Sequence, residues 1–348
     1  MKSRNYIIAS IMGVICVLML VGGFVYHIDP YFQYHAPNED MAYNMEMNSF
    51  SYYNSGIAKN FSYDTIVTGS SMSRAMLPSY IDKVFACETV KLSMAEARGK
   101  DFSILFSVVE QNSKLKRVIM GLDTFAFMVD KDYSAYEKPM YLYDNNPLND
   151  GLYLMNMDGL YEAKKVLDYT SNGGVTTTMD DYQNYVLVNT FSEENVISCC
   201  ADVFPAEQSD FINEDEQRRK IIENLEQNLI PTIERNKEVD FLFYFPPYSI
   251  VRWGNTSNVA EELESMKIII ERLIDYENVS IYFFQGEQEV ITDLEHYMDT
   301  IHFDSVVANE VIDFMSDDNN KLRVDNYQKV LDDFEIFIKN YDYNLLIN

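Results

Sequence analysis

The chain has 348 residues, 47% of them hydrophobic and 24% charged, which is enough to bury a sizeable core and too apolar for a disordered segment. Fifty-five acidic against 27 basic residues leave a formal net charge of −28, which repels phosphates and anionic headgroups. That balance argues against nucleic acid as a partner and against adsorption to membranes through a basic patch.

The first element is an apolar run, Tyr6 to Tyr26, reading YIIASIMGVICVLMLVGGFVY with no charge inside. It matches the ~20 residues that cross a bilayer as a helix. Lys2 and Arg4 precede it, and no Lys or Arg follows until Lys59. The positive-inside rule then puts the N-terminus in the cytoplasm and everything after residue 27 outside, as a single-pass protein of the cell membrane. Tyr6, Tyr26 and Tyr31 suit interfacial anchors. A cleaved signal peptide is the competing reading, but the run is long for one and no small-x-small site follows it. No second run of spanning length appears, so the remainder is expected to be a soluble ectodomain.

The four cysteines are Cys16 in the apolar run, Cys87, and the adjacent Cys199 and Cys200. Neighbouring cysteines rarely bridge each other, and a Cys87 bridge to one of them stays open. With four histidines and no Cys/His spacing of zinc type, no metal site is expected.

Residues 28–60 read as a polar, Tyr- and Asn-rich lead-in containing DPYFQYHAP. An α/β rhythm begins at about residue 61. YDTIVTG (63–69), ETVKL (88–92) and RVIMG (117–121) are short, β-branched and bounded by turn residues, as strands are. Helical patterns lie between them, at 78–85 and 101–111. The rhythm breaks over about 124–212, a stretch rich in Tyr, Asn, Asp and Met that reads as an insertion with helical patches at 151–169. It returns with a helix pattern over 214–235, a strand DFLFYF (240–245), a helix opened by the capping pair Asn258 and Glu261, and a strand VSIYFF (279–284). Helix patterns at 305–315 and 324–341 close the chain. Strands alternating with helices imply about five parallel strands covered on both faces.

Ligands of such sheets sit beyond the carboxyl ends of the strands. After the first strand stands Gly69-Ser70-Ser71-Met72-Ser73-Arg74, a hydroxyl-bearing turn that either presents a nucleophile or caps a helix. After the fifth strand stands Asp299-Thr300-Ile301-His302. Histidine is the natural base for a serine, and a carboxylate three residues away can hold its other ring nitrogen. His296 with Glu295 or Asp293 is the competing pair. Phe245-Pro246-Pro247-Tyr248-Ser249 ends the fourth strand on the same edge, where Tyr248 could line a substrate groove or the prolines could form a rigid turn. Arg74 and Arg252 are candidates for an anionic substrate or for pairing with surplus acids, and Trp253 for sugar stacking or for packing.

The pattern G-x-S-x-S after strand one, with a late D-x-x-H, resembles the SGNH/GDSL hydrolase superfamily over roughly residues 61–315. The single anchor, DPYFQYHAP, GSSMS, FPPYS and DTIHF look like bacterial envelope members similar to the D-alanyl transfer protein of teichoic acid and to polysaccharide O-acetyltransferases. The resemblance implies a flavodoxin-like three-layer sandwich, with Ser71 as nucleophile, His302 as base and Asp299 as orienting acid. It implies no cofactor, an envelope glycan, teichoic-acid-like polymer or acyl donor as substrate, and a membrane-bound acyltransferase as partner. The chain departs from the family at Ser70, where an Asp is usual, and at Asp123, where Gly121-Leu122-Asp123 replaces Gly-x-Asn. The glycine amide of the second block has no direct counterpart, since Leu92-Ser93-Met94-Ala95-Glu96 stands there and Gly99 comes late. An oxyanion hole would draw on backbone amides at Ser71 and near Ala95 to Ala97, because a carboxylate at Asp123 opposes an oxyanion unless protonated. Two functions follow as expectations: an anchored serine esterase or acyltransferase of the envelope, or a catalytically inactive binding or scaffold protein on the same fold.

Overall fold

The computed structural model describes residues 2–146, 148–199, 205–207, 209 and 213–346. In chain order its helices and strands are α1 (Lys2–Ile28), α2 (Phe50–Asn60), β1 (Thr65–Thr68), α3 (Pro78–Phe85), β2 (Thr89–Lys91), α4 (Gly99–Val109) and β3 (Arg117–Gly121). There follow α5 (Gly151–Leu154), α6 (Met157–Ser171), α7 (Glu193–Ser198), α8 (Glu214–Asn228), α9 (Ile230–Arg235) and β4 (Asp240–Phe245). The chain closes with α10 (Ile250–Gly254), α11 (Val259–Leu273), β5 (Val279–Phe283), α12 (Gln288–Thr292), α13 (Ser305–Ser316), β6 (Lys321–Leu322) and α14 (Tyr327–Asn340).

Two compact units divide these elements. One comprises Met1–Ser62, Ser107–Asn112 and Lys138–Thr178. Its helix α1 is long and apolar enough to cross a membrane over Ser3–Ile28. The chain leaves α1 through a turn built on Asp29, whose buried carboxylate accepts from the amides of Gln33 (2.9 Å), Tyr34 (2.7 Å) and His35 (3.1 Å) and from the Tyr153 hydroxyl (2.9 Å). Burial pushes the Asp29 carboxyl up, and these four donors oppose it. The polar lead-in therefore folds rather than dangles, and α2 buries most of its residues although its sequence shows no helical periodicity.

The other unit comprises Tyr63–Phe106, Ser113–Glu137 and Met179–Asn348 and holds one sheet of order β2-β1-β3-β4-β5-β6. Neighbours from β2 to β5 pair in parallel. The sheet has six strands rather than five, because β6 adds antiparallel to β5 with Ile281 opposite Leu322. A two-residue strand shows no periodicity, so pattern reading has nothing to detect. Every residue of β1 and β2 is buried, and alternate residues of a strand face opposite sides, so both faces are covered. The expected helix over 214–235 is two helices, broken at Leu229 ahead of Pro231. Asn258 caps α11 as its spacing suggests, accepting from the Glu261 amide at 3.1 Å. Connections leave β1 toward β2 on one side and β3 lies on the other, so the strand order reverses there and opens a crevice at the carboxyl ends.

Candidate active site

The crevice begins where β1 ends. Gly69 turns the chain at φ +140, a conformation open to glycine, and a Cβ there would stand 3.1 Å from Ser73 Oγ and 3.2 Å from the Gly121 amide nitrogen. Ser70 then caps a single 3₁₀ turn, Ser71–Ala75, by accepting from the Met72 amide at 3.3 Å. The Ser73 hydroxyl is spent on the Ser70 carbonyl (2.9 Å) and on Ser93 Oγ (2.6 Å). Of the three serines in the motif, Ser71 is the one left half-exposed.

Ser71 Oγ lies 2.8 Å from His302 Nε2, and His302 Nδ1 lies 2.7 Å from Asp299 Oδ2. With the Nδ1–H tautomer the hydroxyl donates to Nε2 and the ring donates to the carboxylate. The other oxygen of Asp299 accepts from the amides of Ile301 (2.9 Å) and His302 (2.8 Å), an Asx turn that fixes carboxylate and ring together. Burial pushes the Asp299 carboxyl up, but the hydrogen bond and charge of His302, with the two amides, outweigh it and hold the group below its ordinary value.

Neighbouring segments clamp this loop. Tyr297 and Phe303 pair across its base, and the Met298 amide donates to the His302 carbonyl at 3.0 Å. The Ser249 hydroxyl donates to the Thr300 carbonyl (2.7 Å), the Tyr297 hydroxyl to the Pro247 carbonyl (2.7 Å), and the Ser305 hydroxyl to the Ala75 carbonyl (3.0 Å). Tyr185 sets its ring edge-on to the His302 imidazole at 5.3 Å and donates its hydroxyl to the Phe303 carbonyl at 2.6 Å. Tyr185 and Ser305 carry no mark in the sequence: one is among 26 tyrosines, the other is an ordinary serine at a helix start.

The competing histidine faces elsewhere. His296 Nδ1 meets Asp304 Oδ2 at 2.8 Å and its Nε2 lies 3.9 Å from Asp293. The weaker candidates separate into groups. Asp123 and Tyr248 form a buried pair after β3 and β4, with the Tyr248 hydroxyl donating to Asp123 Oδ1. Asp123 Oδ2 is buried with no hydrogen-bond partner among the described residues. Burial pushes this carboxyl up, against the pull of Ser70, Tyr248 and the His302 charge. The Ala97 amide closes a turn onto the Met94 carbonyl at 3.2 Å. Gly99 lies against Asn224 of α8, whose Oδ1 would stand 1.9 Å from an added Cβ, so its missing side chain serves helix packing. Arg252 pairs with Glu262 at 3.1 Å, and Trp253 is buried, donating to Gln285 at 3.0 Å and packing edge-on against Phe334. Arg74 is buried close to Tyr182, Tyr136 and Tyr185. Cys16, Cys87 and Cys199 are free thiols, and Cys200 lies outside the described residues.

The raised Asp123 carboxyl has a measurable sign. A group whose folded pKa is raised contributes stability below its ordinary value and loses it as pH rises. Asp123→Asn, which keeps an acceptor for Tyr248 and stays neutral, therefore raises the urea midpoint at pH 7, and the gain shrinks toward pH 4. A gain equal at both pH values would remove ionisation as the cause.

No protein-family model matches this chain, and no curated protein matches its sequence.

Proposed function

We propose that the protein is a membrane-anchored serine esterase or acyltransferase of SGNH type, acting outside the cytoplasm on an envelope polymer or its acyl donor. The observation that carries this reading is the pair of hydrogen bonds running from Ser71 through His302 to Asp299. Ser71 Oγ attacks the acyl carbonyl while its proton passes to His302 Nε2, and Asp299 steadies the imidazolium that forms. His302 then protonates the departing oxygen and leaves an acyl-serine. Water regenerates the serine in an esterase, and an acceptor hydroxyl does so in a transferase, each losing its proton to Nε2. The order β2-β1-β3-β4-β5 is that of flavodoxin-like sheets, which supports the superfamily reading. Lys2 and Arg4 before α1, with no further Lys or Arg until Lys59, support a cytoplasmic N-terminus. An anchored enzyme gains from substrates held on the same surface, where its effective concentration is high.

Asp123 favours a second reading, a binding protein on the same fold, since it stands where the family's Asn donor would be and its Oδ1 accepts from the Tyr248 hydroxyl instead of donating to an oxyanion. A fluorophosphonate probe separates the two. The enzyme reading expects one adduct, found by peptide mass spectrometry on Ser71. A folded wild-type chain that takes up no probe overturns it.

A further inference from the structure

The apolar run is bare for most of its length and then abruptly covered. Residues 3–20 of α1 are exposed, whereas Gly22, Val25 and Ile28 are buried, at the spacing of a single helix face. The cover comes from α5 and its flanks in the same unit. A Cβ on Gly22 would meet Met155 side-chain atoms at 3.6 Å and Leu154 Cβ at 3.8 Å. Seven residues further on, the Tyr153 hydroxyl is fastened to Asp29 at 2.9 Å.

This grip sets a depth. The uncovered apolar residues 6–21 span about 24 Å at the helical rise. A bilayer hydrocarbon core is about 30 Å thick. A bilayer that takes in α1 therefore continues past Val21 for about 6 Å, to the level where α5 holds the helix. The surface at that level is apolar. Leu148 is 93% and Met157 76% exposed, and Leu152, Met155 and Tyr161 are exposed beside them. Solvent-facing apolar residues normally occur singly, and five within one short segment against a spanning helix call for a partner.

We infer that residues 148–161 form a collar embedded in the lipid leaflet around the C-terminal end of α1. This rests on α1 spanning the membrane. Lipid is the occupant that fits, because Met155, itself exposed, packs at Gly22 next to the exposed residues 3–20 of α1. The mixture of Leu, Met and Tyr is what lies at the boundary of headgroups and acyl chains, buried by about 5–10 Å. The exposed carboxylate of Asp158, next to Met157, limits the depth to where it keeps its water. With a formal charge of −28 the chain gains nothing from anionic headgroups, so the contact is hydrophobic and tolerates neutral lipid.

The test places one tryptophan at a time in the full chain, reconstituted in phosphatidylcholine vesicles, with the Trp253 background subtracted. Leu152→Trp reads the collar, Leu18→Trp the interior of α1, and Val324→Trp an exposed site elsewhere. Lipids spin-labelled high on the acyl chain should quench Leu152→Trp, and lipids labelled deep on the chain should quench Leu18→Trp. Aqueous iodide should quench only Val324→Trp. Quenching of Leu18→Trp by lipid with none of Leu152→Trp overturns the collar and leaves the anchor standing. Shielding of Leu152→Trp from iodide without lipid quenching also overturns it, since a protein would then be the cover. Lipid quenching at neither position overturns the anchor and the collar together.

Discussion

Ser71→Ala should lower turnover of an activated acyl ester by about 10⁴- to 10⁶-fold with the fold intact. Neither of the two neighbouring serines can take over. Ser70 Oγ is held by the Met72 amide and Ser73 Oγ by the Ser70 carbonyl and Ser93, so neither is free to swing onto His302 Nε2. Position 71 is half-exposed on a one-turn helix, and losing one oxygen there leaves no buried cavity. The unfolding free energy therefore stays within about 0.5 kcal/mol of wild type. Initial rates on a nitrophenyl ester, set against the urea midpoint, check both halves. Turnover within tenfold of wild type would remove Ser71 as the nucleophile.

Asp299→Asn should lower the same turnover by about 10⁴-fold, mainly in kcat. The amide is isosteric with the carboxylate and can still accept from the Ile301 and His302 amides through one oxygen. Its NH₂ then faces His302 Nδ1, where the native pair needs an acceptor. The ring answers by carrying its proton on Nε2, which can no longer take one from Ser71. The native carboxylate is held below its ordinary value, so it keeps its charge to lower pH than a free aspartate does. Because the serine, histidine and aspartate act as a unit, Ser71→Ala/Asp299→Asn should be no slower than Ser71→Ala alone. Rates that multiply would show Asp299 acting apart from the serine.

Local pattern made much of this architecture legible. The five strand segments between residues 63 and 284 stand out because buried parallel strands are short β-branched runs between turn residues, and each coincides with a strand of the sheet. The charge-free run at the N-terminus is likewise read from composition alone, as is the Asn258 cap of α11. Elements with weak local patterns were invisible. Helix α2 buries Tyr, Asn, Ser and Gly side by side, and β6 is two residues long. The stretch at about 124–212 reads only as an insertion in the α/β rhythm, yet it supplies Tyr185 to the His302 ring.

Local sequence dictates the kinds of side chain available and the strand ends that bear them, since hydrophobic period, turn residues and caps act over a few neighbouring positions. Tertiary structure decided the pairing: Ser71 rather than Ser70 or Ser73, His302 rather than His296, and Asp123 buried with Tyr248. The bond from Ser71 to His302 closes 231 positions of chain. Its geometry depends on how the sheet stacks β1 beside β3 and how loops from β4 and β5 clamp the Asx turn. Those are packing energies shared among distant segments, and no window of adjacent residues contains them.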